Sequence, residues 1–259
     1  QLGRWAAGIA AALEEAGVEP GDRVAVWTGK SSAEVASLYG AWMAGAIAVP
    51  IHDVLKRAQV AHVLEHCAAR AVLTTGRVAH QLDDALREGR DVLDPGALPE
   101  RAPRRRELPG GDEPAALLYT AGSTGRPKGI LVSHENLRAG ARIVTGYLGL
   151  REDDRVLSVL PFSFDYGLNQ LLGAVHLGAT LVLARSSLPA RICRHLEEDA
   201  ITALAGVPPL WARLMGRGSP LAERPPKSLR LMTNSGGAFP VALLERYQAL
   251  LPDTDICLM

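Results

Sequence analysis

A chain of 259 residues with 28 basic and 28 acidic side chains carries no net charge, which excludes the one-signed surface expected of a nucleic-acid binder. Hydrophobic residues make up 47% and charged residues 22%, enough to bury the core of one large domain or two smaller ones, and too apolar for a disordered chain. Cys67, Cys193 and Cys257 are odd in number and far apart, so no disulfide framework is expected and a reducing, cytoplasmic compartment fits.

From the N-terminus, Leu2, Trp5, Ala6, Ile9 and Leu13 recur at helical spacing, and Gly17 closes the run. The turn 19–22 leads into a strand at 23–27. Ser31 with Glu34 forms a capping-box pattern that opens the next helix. Residues 35–51 carry no charge, a length at the lower edge of a bilayer span. The break at Gly45 into a β-branched run reads instead as a buried helix and then a buried strand at 46–51, with no membrane span. A helix at 56–69 and a strand at 71–75 complete a βαβα succession, which places parallel strands under crossover helices. His62, His66 and Cys67 lie close together on that helix, but no fourth ligand accompanies them, and no metal site is read there. The tryptophans at 5, 27, 42 and 211 read as core.

Between 87 and 114 the periodicity stops. Pro95, Pro99, Pro103 and Pro109, with the run Arg104-Arg105-Arg106, mark an exposed connection. Strands are then expected at 115–120, 130–132, 156–160, 180–183, 202–206, 229–232 and 255–258. Helices fit at 135–148, 188–198, 209–215 and 241–251, with another running through Leu171 and Leu172. The fold class is α/β. Ligand-binding loops of such sheets follow the carboxyl ends of strands, so a chain closing on a strand, and opening on Gln1, is expected to be truncated at both ends.

The densest chemical signal is Leu118-Tyr119-Thr120-Ala121-Gly122-Ser123-Thr124-Gly125-Arg126-Pro127-Lys128-Gly129. An apolar strand enters a loop of small residues, and a lysine follows before the next strand. Glycines let backbone N–H groups turn inward around an anion, hydroxyls at Thr120, Ser123 and Thr124 add donors, and Lys128 supplies a point charge. This is the chemistry of a phosphate cradle. It is not the P-loop of NTPases, which requires Gly-Lys followed by Ser or Thr, whereas Pro127 precedes Lys128 and Gly129 follows it.

At these residues the chain resembles the adenylate-forming (AMP-binding) superfamily of acyl-CoA synthetases, amino-acid adenylation domains and luciferase-like ligases. The family's loop reads Tyr/Phe-Thr-Ser-Gly-Ser/Thr-Thr-Gly-x-Pro-Lys-Gly, and the chain departs from it at Ala121, where serine is usual. The resemblance extends to 21–26, 45–50, 130–137, 161–183 and 235–238, so it covers essentially the whole chain. It implies the N-terminal portion of an AMP-forming acid–thiol ligase. ATP would activate a carboxylic acid to an acyl-adenylate, which a thiol of CoA or of an acyl-carrier-protein phosphopantetheine then attacks. ATP and Mg2+ are the implied cofactors.

The resemblance further implies two side-by-side αβ lobes, one over about 23–160 and the other over about 1–20 with 161–259, within a partial N-terminal domain. The C-terminal lid with its catalytic lysine, and the magnesium-binding glutamate, are expected beyond Met259. The 259 residues alone are accordingly expected to be inactive. A non-catalytic nucleotide-binding remnant and a P-loop-type NTPase are the alternative readings.

Residue by residue, the resemblance places Thr120, Ser123, Thr124, Gly125 and Lys128 on the β- and γ-phosphates. Gly236, Gly237 and Ala238 would lie against adenine, or else form only a turn before the helix at Pro240. Phe164 occupies the place of the residue beside the reacting carboxylate. Asp165, in Ser-Phe-Asp, is similar to the aspartate that pairs with an amino-acid ammonium, or else caps the following helix. His134 matches the family's Ser-His and reads as a helix-entry histidine near the loop rather than a general base. The acid is left open between an amino acid and a fatty or aryl acid.

Overall fold

A computed structural model describes residues 1–103, 110–120 and 127–259, the side chain of Arg77 apart. Its contacts divide the chain into two units, Gln1–Ala139 with Phe162–Asp165, and Gly140–Pro161 with Tyr166–Met259.

The first unit holds a six-stranded sheet. Its strands are β1 (Arg23–Trp27), β2 (Ile47–Pro50), β3 (Ala71–Thr74), β4 (Asp91–Leu93), β5 (Pro114–Thr120) and β6 (Lys128–Ser133), in the order β4-β3-β1-β2-β5-β6. Helices α1 (Leu2–Glu15), α2 (Ser32–Met43) and α3 (Arg57–His66) precede or link the first three strands, and two single turns, α4 (Gly76–Ala79) and α5 (Asp84–Arg87), lead into β4. Strands β1, β2 and β3 are buried almost throughout, as strands covered on both faces must be, and they read as continuous apolar runs. The uncharged stretch at 35–51 is thus α2 and β2. No helix among the described residues is long and apolar enough to cross a membrane.

Pairing is parallel except between β5 and β6. Only residues 121–127 separate those two strands, too few for the dozen or so that a crossover needs, so β6 must return antiparallel. Strand β4 lies within the stretch expected to be only a connection. Its three residues extend the sheet beside β3 and carry too short a pattern to register in the sequence.

The second unit holds a five-stranded parallel sheet of β7 (Arg155–Ser158), β8 (Thr180–Leu183), β9 (Ala203–Gly206), β10 (Leu231–Asn234) and β11 (Asp255–Leu258), ordered β11-β10-β9-β7-β8. Helix α6 (His134–Tyr147) crosses from one unit into the other. Helices α7 (Asp165–Leu177), α8 (Pro189–Glu198), α9 (Pro208–Leu214) and α10 (Val241–Leu250) are the crossovers of this sheet. Its core gathers Leu157, Leu196, Trp211, Met232 and Tyr247. Tyr247 stacks edge-on against Trp211 and donates its hydroxyl to the Trp211 carbonyl at 2.9 Å, so a buried phenol is satisfied.

The two units differ from the expected lobes in three places, one of them being Phe162–Asp165, which fall in the first unit. Helix α1 belongs to the first unit, because its apolar face packs on α2. Gly40 of α2 lies so close that a Cβ there would come 2.6 Å from Ile9 Cγ2, and a Cβ on Gly8 would meet the Pro99 carbonyl at 1.9 Å. Residues 140–160, expected in the first lobe, belong to the second unit, because β7 pairs with β8 and β9.

Candidate functional site

Strands β5 and β6 bring Thr120 opposite Lys128 as cross-strand partners, with both residues exposed. A hydroxyl and an ammonium therefore flank the 121–127 loop where it leaves and re-enters the sheet. Ser123, Thr124 and Gly125, and the triple arginine at 104–106, lie outside the described residues.

The base of this hairpin is held by α3. The Tyr119 hydroxyl hydrogen bonds His66 Nδ1 at 2.7 Å, and His62 Nε2 lies 3.5 Å from the Pro127 carbonyl. Burial, with Cys67 nearby, pushes the Tyr119 phenol up to about 12, so it stays protonated. His62 and His66 thus lie against the strand ends of the loop. Among the described residues, no group of three His, Cys, Asp or Glu is arranged to hold a metal ion.

His134 opens α6 half-buried, its backbone N–H donating to the Glu113 carbonyl at 3.0 Å. Burial pulls its imidazole below the ordinary value, Arg138 adds to this, and Glu113 opposes it, so the ring is neutral at pH 7. The cap of this helix is Ser133, whose hydroxyl accepts from the Asn136 N–H and donates to Asn136 Oδ1.

Residues 161–165 turn sharply into α7. A Cβ on Gly167 would come 2.1 Å from the Pro161 carbonyl, so the turn can fold onto the first helical turn only over a glycine. Phe162 is fully buried with Lys30 Nζ 4.6 Å from its ring centroid, whereas Phe164 is half-buried. Asp165 is exposed and is the first residue of α7, where a carboxylate complements the helix dipole.

A polar group that the sequence reading missed lies beside Phe162. Lys30 follows β1, Asp53 follows β2, and Glu34 stands in the first turn of α2 with 4% exposure. Parallel pairing of β1 with β2 brings their carboxyl ends together. Burial lowers the Lys30 ammonium to about 8 against the pull of Glu34 and Asp53. Burial likewise raises the Glu34 carboxyl to about 7, with Lys30 opposing and Asp53 adding. Perturbed, buried groups at the ends of parallel strands are where α/β folds place chemistry. Glu34 was hidden in the sequence because its spacing from Ser31 reads as a capping box. The Ser31 hydroxyl does accept from the Glu34 N–H at 3.3 Å, while the carboxyl is buried in the interior.

In the second unit, Gly236, Gly237 and Ala238 form an exposed turn between β10 and α10. Gly236 has φ +78°, a conformation that side chains rarely adopt, and Asn234 Nδ2 donates to the Gly237 carbonyl at 3.0 Å. A cavity of about 30 Å3 lies under α7, between the sheet and the C-terminal half of α6. Its walls are largely apolar, including Val144, Leu148, Leu204 and Leu231. Thr145, Arg151, Tyr166, Asn169, Gln170 and Thr233 are its polar members. The Tyr166 hydroxyl hydrogen bonds Thr233 Oγ1.

Comparison with known proteins identifies the family. A protein-family description, AMP-binding enzyme, matches residues 1–258. The chain is 31% identical over 254 residues to a feruloyl-CoA synthase of Amycolatopsis sp, covering 95% of this chain and 50% of that protein. It is 30% identical over 251 residues to a dimodular nonribosomal peptide synthase of Bacillus subtilis (strain 168), covering 93% of this chain and 10% of that one. The chain thus spans a tenth to a half of the length of these relatives. Among solved structures, a nonribosomal peptide synthetase in its α-methyl-L-serine-AMP bound form superposes with a TM-score of 0.88 at 31% identity, over 99% of this chain and 29% of that one.

Proposed function

The chain belongs to the AMP-binding enzyme family, and from that premise we propose that it supplies the ATP- and acid-binding part of an enzyme that activates a carboxylic acid as its acyl-adenylate. A carboxylate oxygen attacks the α-phosphorus of ATP, the bond to the β-phosphate oxygen breaks, and pyrophosphate leaves. A thiol, of CoA or of a carrier-protein phosphopantetheine, then attacks the acyl carbon and releases AMP. Relatives named for a CoA thioester and for peptide synthesis support either acceptor.

The observation that carries this reading is the pairing of Thr120 with Lys128 across the loop mouth. A hydroxyl donor and an ammonium at the end of a sheet strand suit the oxygens of a departing pyrophosphate, whose charge must be offset as it leaves. In this reading Ser123, Thr124 and Gly125 complete the cradle. Gly236, Gly237 and Ala238 receive adenine, since a turn without side chains lets a flat base approach the backbone. Phe164 lies beside the acid and helps exclude water, Asp165 receives the ammonium of an amino-acid substrate, and His134 supports the loop from α6 as a neutral ring. Magnesium would arrive with the phosphates of ATP rather than in a cage of described protein ligands.

Acid-dependent exchange of labelled pyrophosphate into ATP, catalysed by the protein that carries this chain, is the test. The reading predicts exchange with a subset of amino, aryl and fatty acids. Acid-independent release of ADP and phosphate would instead support a nucleoside triphosphatase.

A further inference from the structure

Helix α7 presents Tyr166, Gln170, Gly173 and Leu177 along one stripe to the cavity beneath it. Three of these positions suit an apolar wall, the Tyr166 hydroxyl being satisfied by Thr233. Gln170 does not fit. It is 9% exposed, it lines the cavity, and both its Oε1 and its Nε2 are buried without a hydrogen-bond partner. A buried polar atom left unpaired bears the full penalty of its lost hydration. An amide with both atoms unpaired is therefore an expensive residue at a position where leucine would pack.

We propose that Gln170 reads a hydroxyl group on the acid substrate, so that the acid is one whose apolar body carries an uncharged hydroxyl at the end remote from its carboxylate. The inference rests on the acyl-adenylate reading and narrows its substrate class. Size is consistent with it, because a cavity of about 30 Å3 has room beside Gln170 for a water-sized group such as a hydroxyl. Chemistry supports it as well. A hydroxyl both donates and accepts, matching Oε1 and Nε2 together. Position is the third support. Thr233 of β10 lines the cavity, and the turn assigned to adenine begins three residues further along the same strand direction. An acid joined to AMP at that turn therefore points its far end toward Gln170.

The test uses non-hydrolysable acyl-sulfamoyl adenosines in pairs that differ by one terminal hydroxyl: hexanoyl against 6-hydroxyhexanoyl, L-phenylalanyl against L-tyrosyl, and 3-phenylpropanoyl against 3-(4-hydroxyphenyl)propanoyl. Dissociation constants are measured by calorimetry for the wild type and for Gln170→Leu. A site built to pair a hydroxyl rejects the analogue lacking it far more strongly than an apolar site rejects an added one. The wild type should therefore favour the hydroxylated member of the pair it binds best by at least about tenfold, and Gln170→Leu should abolish or reverse that preference. Equal binding within every pair by the wild type would overturn the proposal, with the adenylate reading intact. So would a preference that survives in Gln170→Leu. Binding of no analogue would overturn both. The wild-type ranking alone decides the matter if the variant does not fold.

Discussion

Replacing Asp154 by alanine removes the acceptor on which three segments of the second unit converge. The carboxylate is 2% exposed and takes two hydrogen bonds from Arg230, through Nε at 2.9 Å and through Nη2. It takes another from Thr202 Oγ1 at 2.6 Å and a fourth from the Arg151 N–H at 2.8 Å. It thereby ties the segment before β7 to the residues that precede β9 and β10. Breaking a buried ion pair from one side costs about 3–5 kcal/mol, because the partner keeps its charge and loses its counter-ion. Arg230 retains 26% side-chain exposure and a bond to the Gly149 carbonyl, so the lower end applies, about 3 kcal/mol. Asp154→Asn keeps one acceptor oxygen and should cost roughly half as much. Urea denaturation at pH 7 measures both. Burial alone would raise this carboxyl, but the hydrogen bonds from Arg230, Thr202 and Arg151 outweigh burial and hold it below the ordinary value. A depressed folded-state value means that the stabilisation is present above the unfolded value, near pH 4, and is lost as pH falls through the folded one. The wild type should thus lose its advantage over Asp154→Asn in acid. A cost below about 1 kcal/mol for the alanine variant, or an advantage that persists unchanged into acid, would refute the account of this hub.

Three further outcomes follow from the site. In Glu34→Gln, a carboxyl that burial raises to about 7 is replaced by a neutral amide. Its native state holds a proton that the unfolded chain releases, so this group makes stability fall as pH rises from about 4.5 to about 7. The melting temperature of the variant relative to wild type should therefore improve from pH 5 to pH 8, and a constant difference would contradict it. Gly167→Ala forces a Cβ against the Pro161 carbonyl, displacing the 161–165 turn. It should cost about 1–3 kcal/mol and reduce acid-dependent exchange, and unchanged melting with unchanged exchange would count against the geometry. Lys128→Ala removes an exposed cation, so it should leave folding intact while weakening ATP binding by about tenfold at low salt and less at high salt. Calorimetric titration at two ionic strengths checks this, with equal affinities as the opposing result.

Much of the fold was legible where chemistry is local. Strands β1, β8 and β11 fall at the residues their apolar runs mark, because turn residues bound each run. Strand β10 runs Leu231–Asn234, two residues beyond expectation, since the buried Thr233 and Asn234 resemble the start of a turn. Helix α1 was legible as a helix but not in its location, because periodicity shows that a face is apolar and not what covers it. Thr120 and Lys128 were legible through their spacing about a glycine-rich loop. The group of Lys30, Glu34 and Asp53 was not, for its members come together only through the parallel pairing of β1 with β2. Gln170 left a fainter mark, a polar residue among the buried positions of α7.

The central claim is that a carboxylate attacks the α-phosphate of ATP, and the route of one oxygen atom tests it. Turnover with an exchange-competent acid labelled with heavy oxygen in its carboxylate, followed by mass spectrometry of the nucleotide product, reports which bonds formed and broke. If an acyl-adenylate forms and is cleaved at the acyl carbon, the bridging oxygen leaves with the phosphate, and AMP should carry one heavy atom from the acid. Unlabelled AMP, or ADP as the nucleotide product, would contradict the account.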